Sequence, residues 1–381
     1  MNQHRGNIHA WLAEPLSREI SQRIDHLAAI EGVERIAIMP DVHLAEQVCV
    51  GLIVATRVKI FPAAVGSDIG CGMAAVRCAA EADLLADEQP AAKLLAGLYR
   101  TIPALKQHRT SAAANLPEEL LRLPLSHPRL ERLKSRDGRL QLGTLGRGNH
   151  FLEFQSDDEG FLWLMVHSGS RGMGHAISAH HGAIAGDPSS AKQPAGFEAD
   201  SEAGRAYLSD AAWAELYAAQ NRLVILAAVG ELLEDLFSIG LDRDSLIHAN
   251  HNHVRTELHD GNRYWVHRKG ALSAKAGEPG LIPGSMGTAS FHTVGRGCSA
   301  ALSSSSHGAG RALSRAAAMK SIGERQLLRE MRGVWFDHRH GDQLRDEAPS
   351  AYKDIFAVMR AQRDLMRIVR QLRPVLSFKG L

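Results

Sequence analysis

The sequence has few cysteines and no long hydrophobic run. Its four cysteines, Cys49, Cys71, Cys78 and Cys298, are scattered over 381 residues, which excludes a disulfide-rich scaffold and favours a reducing compartment. We find no stretch of about 18 apolar residues, which argues against a membrane-spanning segment. The first residues do not resemble a secretory signal. We therefore expect a cytoplasmic protein with no membrane partner.

A strong charge imbalance and the familiar short metal motifs are also missing. The formal net charge of +2 is too small to indicate nucleic-acid binding through bulk charge, so any such contact requires a local basic patch. The chain contains no CxxC pair and no HExxH sequence, which makes a closed structural zinc site less favoured than an open one. No Walker lysine accompanies its glycine-rich segments.

The sequence is instead rich in histidine, with 20 residues, and in glycine-rich turns next to predicted strands. In the turn at 65–73, Asp68 and Cys71 stand three positions apart among glycines, which allow the backbone to approach a ligand closely. A carboxylate oxygen and a thiol sulfur that point the same way can bind a cation. A plain turn with a small buried cysteine has the same pattern.

Three further histidines, His150, His167 and His251, each lie where a predicted strand meets a glycine-rich or polar turn. With Asp68 and Cys71 they form a sound set of ligands for one or two divalent ions, and ligand type alone favours zinc. His307 differs, because it lies among serines, glycines and arginines just before a predicted helix, where anions are favoured. Its imidazole can bind phosphate, act as acid or base, or attack phosphorus.

The hydrophobic periodicity predicts both strands and helices. With the glycine-rich turns taken into account, we predict an α+β protein with mixed β-sheets around a central metal cleft, flanked by helices. We predict a strand at 33–39 that stops at Pro40, with Asp41 and His43 directly after it, and a strand at 48–58. A helical outer layer is predicted at 81–138 and a surface loop at 182–204. The longest helix is predicted at 206–239, with Asn221 and Arg222 solvated. Two further helices are predicted, one after His307 to about 332 and one at 352–373, before a closing strand at 374–379.

Short motifs in a fixed order cover nearly the whole chain. They are MPDVH at 39–43, VGSDIGCGM at 65–73, GTLGRGNHFLEF at 143–154, HSGSRGMG at 167–174, HNHV at 251–254, RKGALSA at 268–274, IPGSMG at 282–287, SHGAGRALSR at 306–315, EAPSAYKDI at 347–355 and FKG at 378–380. On these motifs the sequence resembles the RtcB family of RNA-splicing ligases. The resemblance implies one RtcB-like catalytic domain over 1–381.

The resemblance implies a ligase that uses GTP and manganese to join an RNA 3′-phosphate or 2′,3′-cyclic phosphate to a 5′-hydroxyl. His307 is the implied catalytic nucleophile, which forms a histidine–GMP intermediate before GMP passes to the RNA 3′ end. The implied partners are RNA with such ends, for example tRNA halves or nicked rRNA, and an archease-type activator. Two alternatives stay open: a metal-dependent cyclic phosphodiesterase or phosphoesterase, and a non-catalytic RNA-end binder.

The resemblance also assigns residues to the metals and to the nucleotide. Cys71 bridges two Mn²⁺ ions, with His150 and His167 completing one site and Asp68 and His251 the other, so manganese replaces the zinc that ligand type alone favours. Arg171 and Arg311 match positions that meet phosphate. The residues implied in binding GTP are Asn149, Glu153, Asn252, Ser285, Ser290, His307, Gly308, Ala309, Gly310, Arg311, Tyr352 and Lys379.

The sequence departs from the family pattern at several positions near these motifs. A small, Gly/Lys-containing segment is usual where this chain has residues 45–49, and Arg147 replaces the commoner glycine. Ser67 stands where an aliphatic residue is usual, Asn250 where a histidine often lies and His253 where an aromatic residue is common. No proposed ligand or nucleophile is lost, so we expect the chemistry to persist and the substrate preference to differ.

Overall fold

The computed structural model describes residues 7–107, 115–186 and 194–381. Its strands are β1 (Ile8–Ala10), β2 (Val33–His43), β3 (Val50–Thr56), β4 (Lys59–Ile60), β5 (Gly72–Glu81), β6 (Phe151–Asp157), β7 (Phe161–Ser168), β8 (Phe197–Glu198), β9 (Leu241–Asn250), β10 (Asn252–His259), β11 (Asn262–Lys269), β12 (Ala271–Ser273), β13 (Pro279–Ile282), β14 (Ser290–Gly295), β15 (Ser304–Ser306) and β16 (Met366–Phe378). Its α-helices are α1 (Arg18–Ala28), α2 (Glu88–Thr101), α3 (Glu118–Arg122), α4 (Pro128–Leu133), α5 (Arg139–Gln141), α6 (Arg171–Ala185), α7 (Glu202–Phe237), α8 (Arg315–Ser321), α9 (Glu324–Glu330) and α10 (Ile355–Ala361).

Two large sheets form the body of the protein. One has seven strands in the order β13-β14-β16-β6-β7-β5-β9, and the other has five in the order β1-β2-β3-β11-β10. The five-stranded sheet is mixed, because β1 runs parallel to β2 while the other neighbours are antiparallel. The predicted α+β class, with sheets flanked by helices, is confirmed; of the two large sheets the five-stranded one is mixed, whereas the seven-stranded one is antiparallel. The single-domain organisation stays a prediction.

Strand β7 shows why the seven-stranded sheet is covered on both faces. Leu162, Leu164 and Val166 belong to the apolar cluster that includes residues of α2 and α7. The alternate residues Trp163 and Met165 pack in a second cluster on the other face. Alternate side chains of a strand point to opposite faces, so a strand buried on both faces is a nearly continuous apolar run. The run ends at His167, at the edge where the candidate site lies.

Helix α7 confirms the predicted long helix and corrects one prediction within it. Its 36 residues start after Ser201, whose hydroxyl accepts the N–H of Gly204. By length and composition the helix could cross a bilayer, but half of its most apolar window is buried inside the protein. The prediction that Asn221 and Arg222 are solvated is wrong, because both are fully buried.

Strand β2 runs through Pro40 to His43, so the prediction that it stops at Pro40 is wrong. Its register with β3 shifts between Ile38 and His43. The proline therefore lies where the ladder is interrupted, and its missing N–H removes no regular hydrogen bond. The extension places Asp41 inside a buried strand.

Other boundaries also differ from the predictions. The region predicted as a helix at 352–373 contains only the short helix α10, and its second half lies in β16, which is paired on both sides. The helix predicted to reach about 332 is divided at Gly323 into α8 and α9. In the predicted surface loop, α6 extends to Ala185, β8 forms at Phe197–Glu198 and residues 187–193 lie outside the described part. In the predicted helical layer, β5 reaches Glu81, helices α2 to α4 follow, and residues 108–114 lie outside the described part.

Candidate active site

One edge of the seven-stranded sheet gathers the predicted metal ligands, because β5 and β6 begin there while β7 and β9 end there. Gly72 of β5 pairs with both Ser168 of β7 and Asn250 of β9. Phe151 of β6 pairs with His167 of β7. Cys71, His150, His167 and His251 stand at or next to these paired positions in the chain, so strand pairing brings together residues that are far apart in the sequence. Asp68 lies in the turn three residues before Cys71.

The turn before β5 requires glycine for two separate reasons. Gly70 has a φ of +73°, in the left-handed region that other residues rarely adopt. A Cβ atom at Gly72 would lie 2.3 Å from the carbonyl oxygen of Ala249. The glycines therefore let the turn approach β9 closely enough to hold Cys71 against the histidines.

Cys71, His150 and His167 form a buried cluster whose ligand atoms all lie within 4.8 Å of one another. The sulfur of Cys71 is 3.4 Å from Nε2 of His150 and 3.2 Å from Nε2 of His167. Nδ1 of His167 donates to the carbonyl oxygen of Asn149 at 3.0 Å. This hydrogen bond fixes the tautomer of His167 and directs Nε2 to the cluster.

Asp68 and His251 lie at the border of this cluster. Oδ2 of Asp68 accepts a hydrogen bond from Nε2 of His150 at 3.0 Å. The ring of His251 lies between two others, with centroid distances of 5.1 Å to His167 and 4.7 Å to His307. Oδ1 of Asp68 and Nδ1 of His251 are buried without a hydrogen-bond partner. Buried polar atoms are rarely left in this state, so both are available to a bound group.

The electrostatics of the cluster suit a metal cation. Burial lowers the pKa of His150, His167 and His251 and keeps the three imidazoles neutral. Burial raises the pKa of Asp68, but the hydrogen bonds from His150 and Cys71 and the nearby guanidinium of Arg171 together lower it further, so the net pKa is lowered and the group is ionised. Burial raises the pKa of the Cys71 thiol well above its usual value, and a bound cation is what removes such a proton. The donor set and the two unsatisfied atoms fit a metal cofactor.

Arg171 contacts His150 on the side opposite Asp68. Its backbone φ is +56°, and its NH1 donates to Nδ1 of His150 at 2.9 Å. The guanidinium fills the space beside Gly146, where a Cβ atom would lie 2.3 Å from it. A left-handed non-glycine residue of this kind costs about 1–3 kcal/mol and persists where surrounding contacts hold it.

His307 follows β15 and is held by an aspartate that we did not predict. Nδ1 of His307 donates to Oδ2 of Asp41 at 2.7 Å, and the backbone N–H of His307 donates to the same oxygen at 3.1 Å. Asp41 is fully buried, whereas the His307 side chain is 13% exposed. The carboxylate therefore fixes Nδ1 as the protonated nitrogen and leaves Nε2 as the nitrogen with a free lone pair.

His307 does not lie beside a helix N-terminus as predicted, because α8 begins only at Arg315. A buried ion pair holds the segment before it instead. Leu302 and Ser303 have φ values of +51° and +47°. Arg268 donates to the carbonyl oxygen of Leu302 and to the hydroxyl of Ser304, both at 2.9 Å. Glu257 in turn accepts two hydrogen bonds from Arg268, at 2.8 and 3.0 Å.

A pocket opens beside His307, and most of the residues implied in binding GTP line it. The lining includes Asn149, Glu153, Ser285, His307, Gly308, Ala309, Gly310, Arg311, Tyr352 and Lys379, together with His43, Met73, Phe151, His167, Pro283, Gly284, Met286, Arg315 and Glu347. Two predicted residues lie behind this wall. Asn252 donates to the carbonyl oxygen of Asp68 at 3.0 Å, and Ser290 accepts from Gln155 at 3.0 Å.

Glu153 is a buried carboxyl group at the wall of this pocket. Gln155 donates to its Oε1 at 2.6 Å. Burial raises the pKa of Glu153 to about 8, against the lowering influence of Gln155 and Lys379. Hydrogen-bond donors on a ligand would favour the charged form of such a carboxyl group and lower its pKa.

A family model described as "tRNA-splicing ligase RtcB" matches residues 23–128 and 124–380. The chain belongs to the RtcB family. The RNA-splicing ligase RtcB of Escherichia coli K12 is 36% identical over 390 residues, which cover 96% of this chain and 95% of that protein. The Mycobacterium tuberculosis RNA-splicing ligase RtcB is 31% identical over 438 residues, 94% and 100% of the two chains. The Archaeoglobus fulgidus tRNA-splicing ligase RtcB is 29% identical over 452 residues, 97% and 92%.

Family membership confirms the resemblance drawn from the motifs, yet several residues of this RtcB-family site escaped the sequence reasoning. Asp41 and His43 were noted only as polar residues after a strand. Glu347 lies in the quoted motif at 347–355 without an assigned role. Burial lowers the pKa of His43 to about 4, so this pocket residue is neutral. The motifs themselves were the available signal, because each of these residues belongs to one.

Glu347 is the centre of a hydrogen-bonded network in the pocket wall. Its Oε2 accepts from Nζ of Lys379 at 2.7 Å and from the hydroxyl of Tyr352 at 2.8 Å. Its Oε1 accepts from Arg311 at 3.2 Å and also from Arg315. Burial acts to raise the pKa of Glu347, but the positive charges of Lys379 and Arg315 have the larger effect. The net pKa is therefore lowered, and the carboxylate is charged. One carboxylate thus accepts hydrogen bonds from three cationic side chains of the pocket and orients them.

We expect Glu347→Gln to lower the free energy of unfolding by about 3–5 kcal/mol, because it leaves the buried ammonium of Lys379 without its counter-charge. Urea denaturation of the protein without ligands measures the change. Glu31→Gln is the matched control, since Glu31 pairs with Lys59 at 3.1 Å but is 91% exposed, and an exposed pair contributes little. Equal stability of the two variants would contradict the central role of Glu347.

Proposed function

We propose that this RtcB-family protein is an RNA ligase that joins a 3′-phosphate or 2′,3′-cyclic phosphate end to a 5′-hydroxyl end, using GTP and Mn²⁺. The observation that carries the proposal is the Asp41–His307 pair at the wall of the pocket. A histidine whose Nδ1 is committed to a buried carboxylate presents Nε2 as a nucleophile. Neither a phosphoesterase nor an RNA-end binder requires such a nucleophile beside a nucleotide-sized pocket.

The proposed reaction starts with attack by Nε2 of His307 on the α-phosphorus of GTP. The P–N bond forms, pyrophosphate leaves and the imidazole becomes cationic, with its Nδ1 proton retained. The buried carboxylate of Asp41 stabilises this positive charge at 2.7 Å. The intermediate is therefore a histidine–GMP adduct whose charge is balanced by the same residue that oriented the ring.

The later steps transfer GMP to the RNA and then remove it. Water first opens a cyclic phosphate, where one is present, to a 3′-phosphate. An oxygen of this phosphate attacks the phosphorus of the adduct, His307 leaves, and the RNA end is activated as an anhydride. The 5′-hydroxyl attacks the activated 3′-phosphate, loses its proton and displaces GMP. Each step concentrates negative charge on phosphoryl oxygens, which favours a cationic pocket.

Guanine recognition is proposed for the far wall of the pocket. The carboxyl group of Glu153 can accept from the N1–H and N2–H groups of guanine, and the ammonium of Lys379 can donate to O6. Adenine lacks this pattern, so the pair discriminates between the two purines. Tyr352, Ser285 and Ser290 complete the proposed guanosine site, Ser290 through the hydrogen bond that it accepts from Gln155.

The cluster of Cys71, His150 and His167, together with Asp68 and His251 at its border, is proposed to hold two Mn²⁺ ions. Cys71 is the shared ligand, His150 and His167 complete one site, and Asp68 and His251 complete the other. The ions would withdraw charge from the phosphoryl oxygens of GTP and RNA. Arg171, Arg311 and Asn149 are the proposed phosphate contacts around them, and Asn252 supports the turn that carries Asp68.

The setting of the reaction is proposed to be the cytoplasm. Cys49, Cys71, Cys78 and Cys298 are all free thiols, which suits a reducing compartment. The proposed substrates are cleaved RNAs such as tRNA halves or nicked rRNA, and an archease-type protein is the proposed activator. The exposed Arg147 next to the pocket and the altered residues 45–49 are where we expect a preference for particular RNA ends to reside.

We expect the protein to join two RNA strands, one labelled at its 3′-terminal phosphate and one with a 5′-hydroxyl, when MnCl₂ and GTP are both present. The labelled phosphate becomes internal and resistant to phosphatase in the joined product. Gel electrophoresis after phosphatase treatment measures this directly. Strands with a 3′-hydroxyl and a 5′-phosphate are the control, and we expect no joining of them.

The same assay separates the alternatives. Opening of a cyclic phosphate without GTP and without joining would support a phosphoesterase. Retention of RNA without any reaction, across several divalent metals, would support an RNA-end binder. Either result would overturn the ligase proposal.

A further inference from the structure

Two consecutive polar residues in the middle of α7, Asn221 and Arg222, are fully buried. Their neighbours on the buried face of this helix are mostly apolar. A buried guanidinium is costly unless its donors are satisfied. The partners of these two side chains therefore indicate which parts of the site the buried pair holds together.

Arg222 connects three segments that each carry a proposed metal ligand. Its NH1 donates to the carbonyl oxygens of Gly70 at 2.9 Å and Ser168 at 2.8 Å, and its NH2 donates to Oδ1 of Asn250 at 2.5 Å. Each acceptor is the immediate chain neighbour of a proposed ligand: Cys71, His167 and His251 respectively. Nε of Arg222 is bound as well, to His248 at 2.7 Å.

Asn221 connects α7 to the segment that leads to His150, the remaining proposed histidine ligand. Its Oδ1 accepts the backbone N–H groups of Gly143 at 2.7 Å and Thr144 at 3.2 Å. Its Nδ2 donates to the carbonyl oxygen of Thr144 at 3.1 Å and to the hydroxyl of Ser168 at 2.9 Å. Thr144 in turn accepts from Arg171, the residue that contacts His150.

We propose that Asn221 and Arg222 are positioning residues that set the spacing of the metal ligands and thereby the affinity of the site for metal. The proposal rests on the metal ligands assigned under the proposed function. The hydrogen bonds of the two side chains described above go to residues near the proposed ligands in the chain and to none of the ligand atoms. A planar guanidinium with its donors at fixed angles suits this task, because it holds several acceptors in one geometry.

Asn250 is held to α7 at both ends of its side-chain amide. Its amide oxygen accepts from Arg222 and its amide nitrogen donates to Glu215 at 3.4 Å. Glu215 also pairs with Arg255 at 2.9 Å. The segment before His251 is thus joined to α7 by two side chains of that helix.

The test is metal binding by the chelator-stripped protein, measured by calorimetric titration with MnCl₂ and by electron paramagnetic resonance of the bound ion. We expect Arg222→Lys and Asn221→Asp to bind Mn²⁺ about 10- to 100-fold more weakly than the wild type, as is usual when groups that orient metal ligands are removed. We also expect an altered resonance spectrum of the remaining bound ion. Circular dichroism confirms that the variants compared are folded.

Matched controls are Arg205→Lys, at an exposed position of the same helix, and Asn262→Asp, at a half-exposed position of β11. We expect both controls to bind metal like the wild type. If Arg222→Lys does not fold, Asn250→Ala provides the same test, because Asn250 is half-buried and accepts from Arg222. This variant removes one acceptor of Arg222 without substituting any proposed ligand. Wild-type affinity and an unchanged spectrum in the folded variants would show a merely structural role and overturn the proposal.

The readout does not depend on RNA joining, so the two proposals fail separately. A wild type that binds Mn²⁺ but joins no RNA contradicts the proposed function and leaves the positioning role open to measurement in the same titration. A wild type that binds no divalent metal overturns the ligand assignment and the positioning role together.

Discussion

Replacing Asp41 by asparagine is expected to slow the transfer of GMP to His307 by about 10³- to 10⁴-fold while GTP binding is retained. The carboxylate accepts from both Nδ1 and the backbone N–H of His307. An amide at this position can donate to Nδ1, which stabilises the tautomer with the proton on Nε2 and removes the nucleophilic lone pair. It also removes the negative charge that balances the cationic adduct.

The measurement is the rate of acid-labile, alkali-stable labelling of the protein by α-labelled GTP, with GTP affinity determined separately by calorimetry. His307→Ala provides the baseline without a nucleophile. Asp260→Asn is the matched control, because Asp260 is an exposed aspartate that pairs with Arg35 at 2.9 Å. Labelling of Asp41→Asn within tenfold of the wild type would show that Asp41 does not set the tautomer of His307.

Replacing Cys71 by alanine is expected to remove bound metal and to abolish labelling by GTP. The thiol lies 3.4 and 3.2 Å from the two histidines of the cluster, and it is the one ligand proposed to serve both ions. Burial raises the pKa of Cys71, so metal binding must displace its proton. Metal affinity of the wild type is therefore expected to rise with pH.

Elemental analysis of the purified protein and calorimetric titration at several pH values measure these effects. Cys298→Ala is the control, since Cys298 is a free, partly exposed cysteine outside the cluster. Full labelling and full metal content in Cys71→Ala would show the ligand assignment to be wrong.

The local part of the site was predictable from the sequence because glycine-rich turns beside strands are short-range patterns. In the turn holding Asp68 and Cys71, the positive φ of Gly70 is a local requirement for glycine, whereas the requirement at Gly72 comes from the distant carbonyl oxygen of Ala249. The motifs at 143–154 and 167–174 place His150 and His167 in the same way. Family resemblance then supplied the roles that spacing alone could not.

The partner of His307, the burial of two polar residues in α7 and the extent of β16 depend on long-range contacts, which no local sequence pattern encodes. Asp41 was visible as a carboxylate after a strand, but its partner lies 266 positions away in the chain. Asn221 and Arg222 are predicted to face solvent because they are polar, and only the segments packed against α7 show why they are buried. Residues of β16 were predicted as helix because composition favoured it, whereas pairing with β14 and β6 decided the outcome.

The way Arg222 joins distant segments also has a consequence for biosynthesis. It contacts Gly70, 152 positions earlier in the chain, and the Asp41–His307 contact spans 266 positions. Contacts of such long range form late, because the entropy of closing large loops must be overcome before they stabilise the fold. A growing chain on the ribosome therefore has Asp68, Cys71, His150 and His167 before it has the helix that arranges them. We therefore expect metal binding only after α7 has packed against these segments.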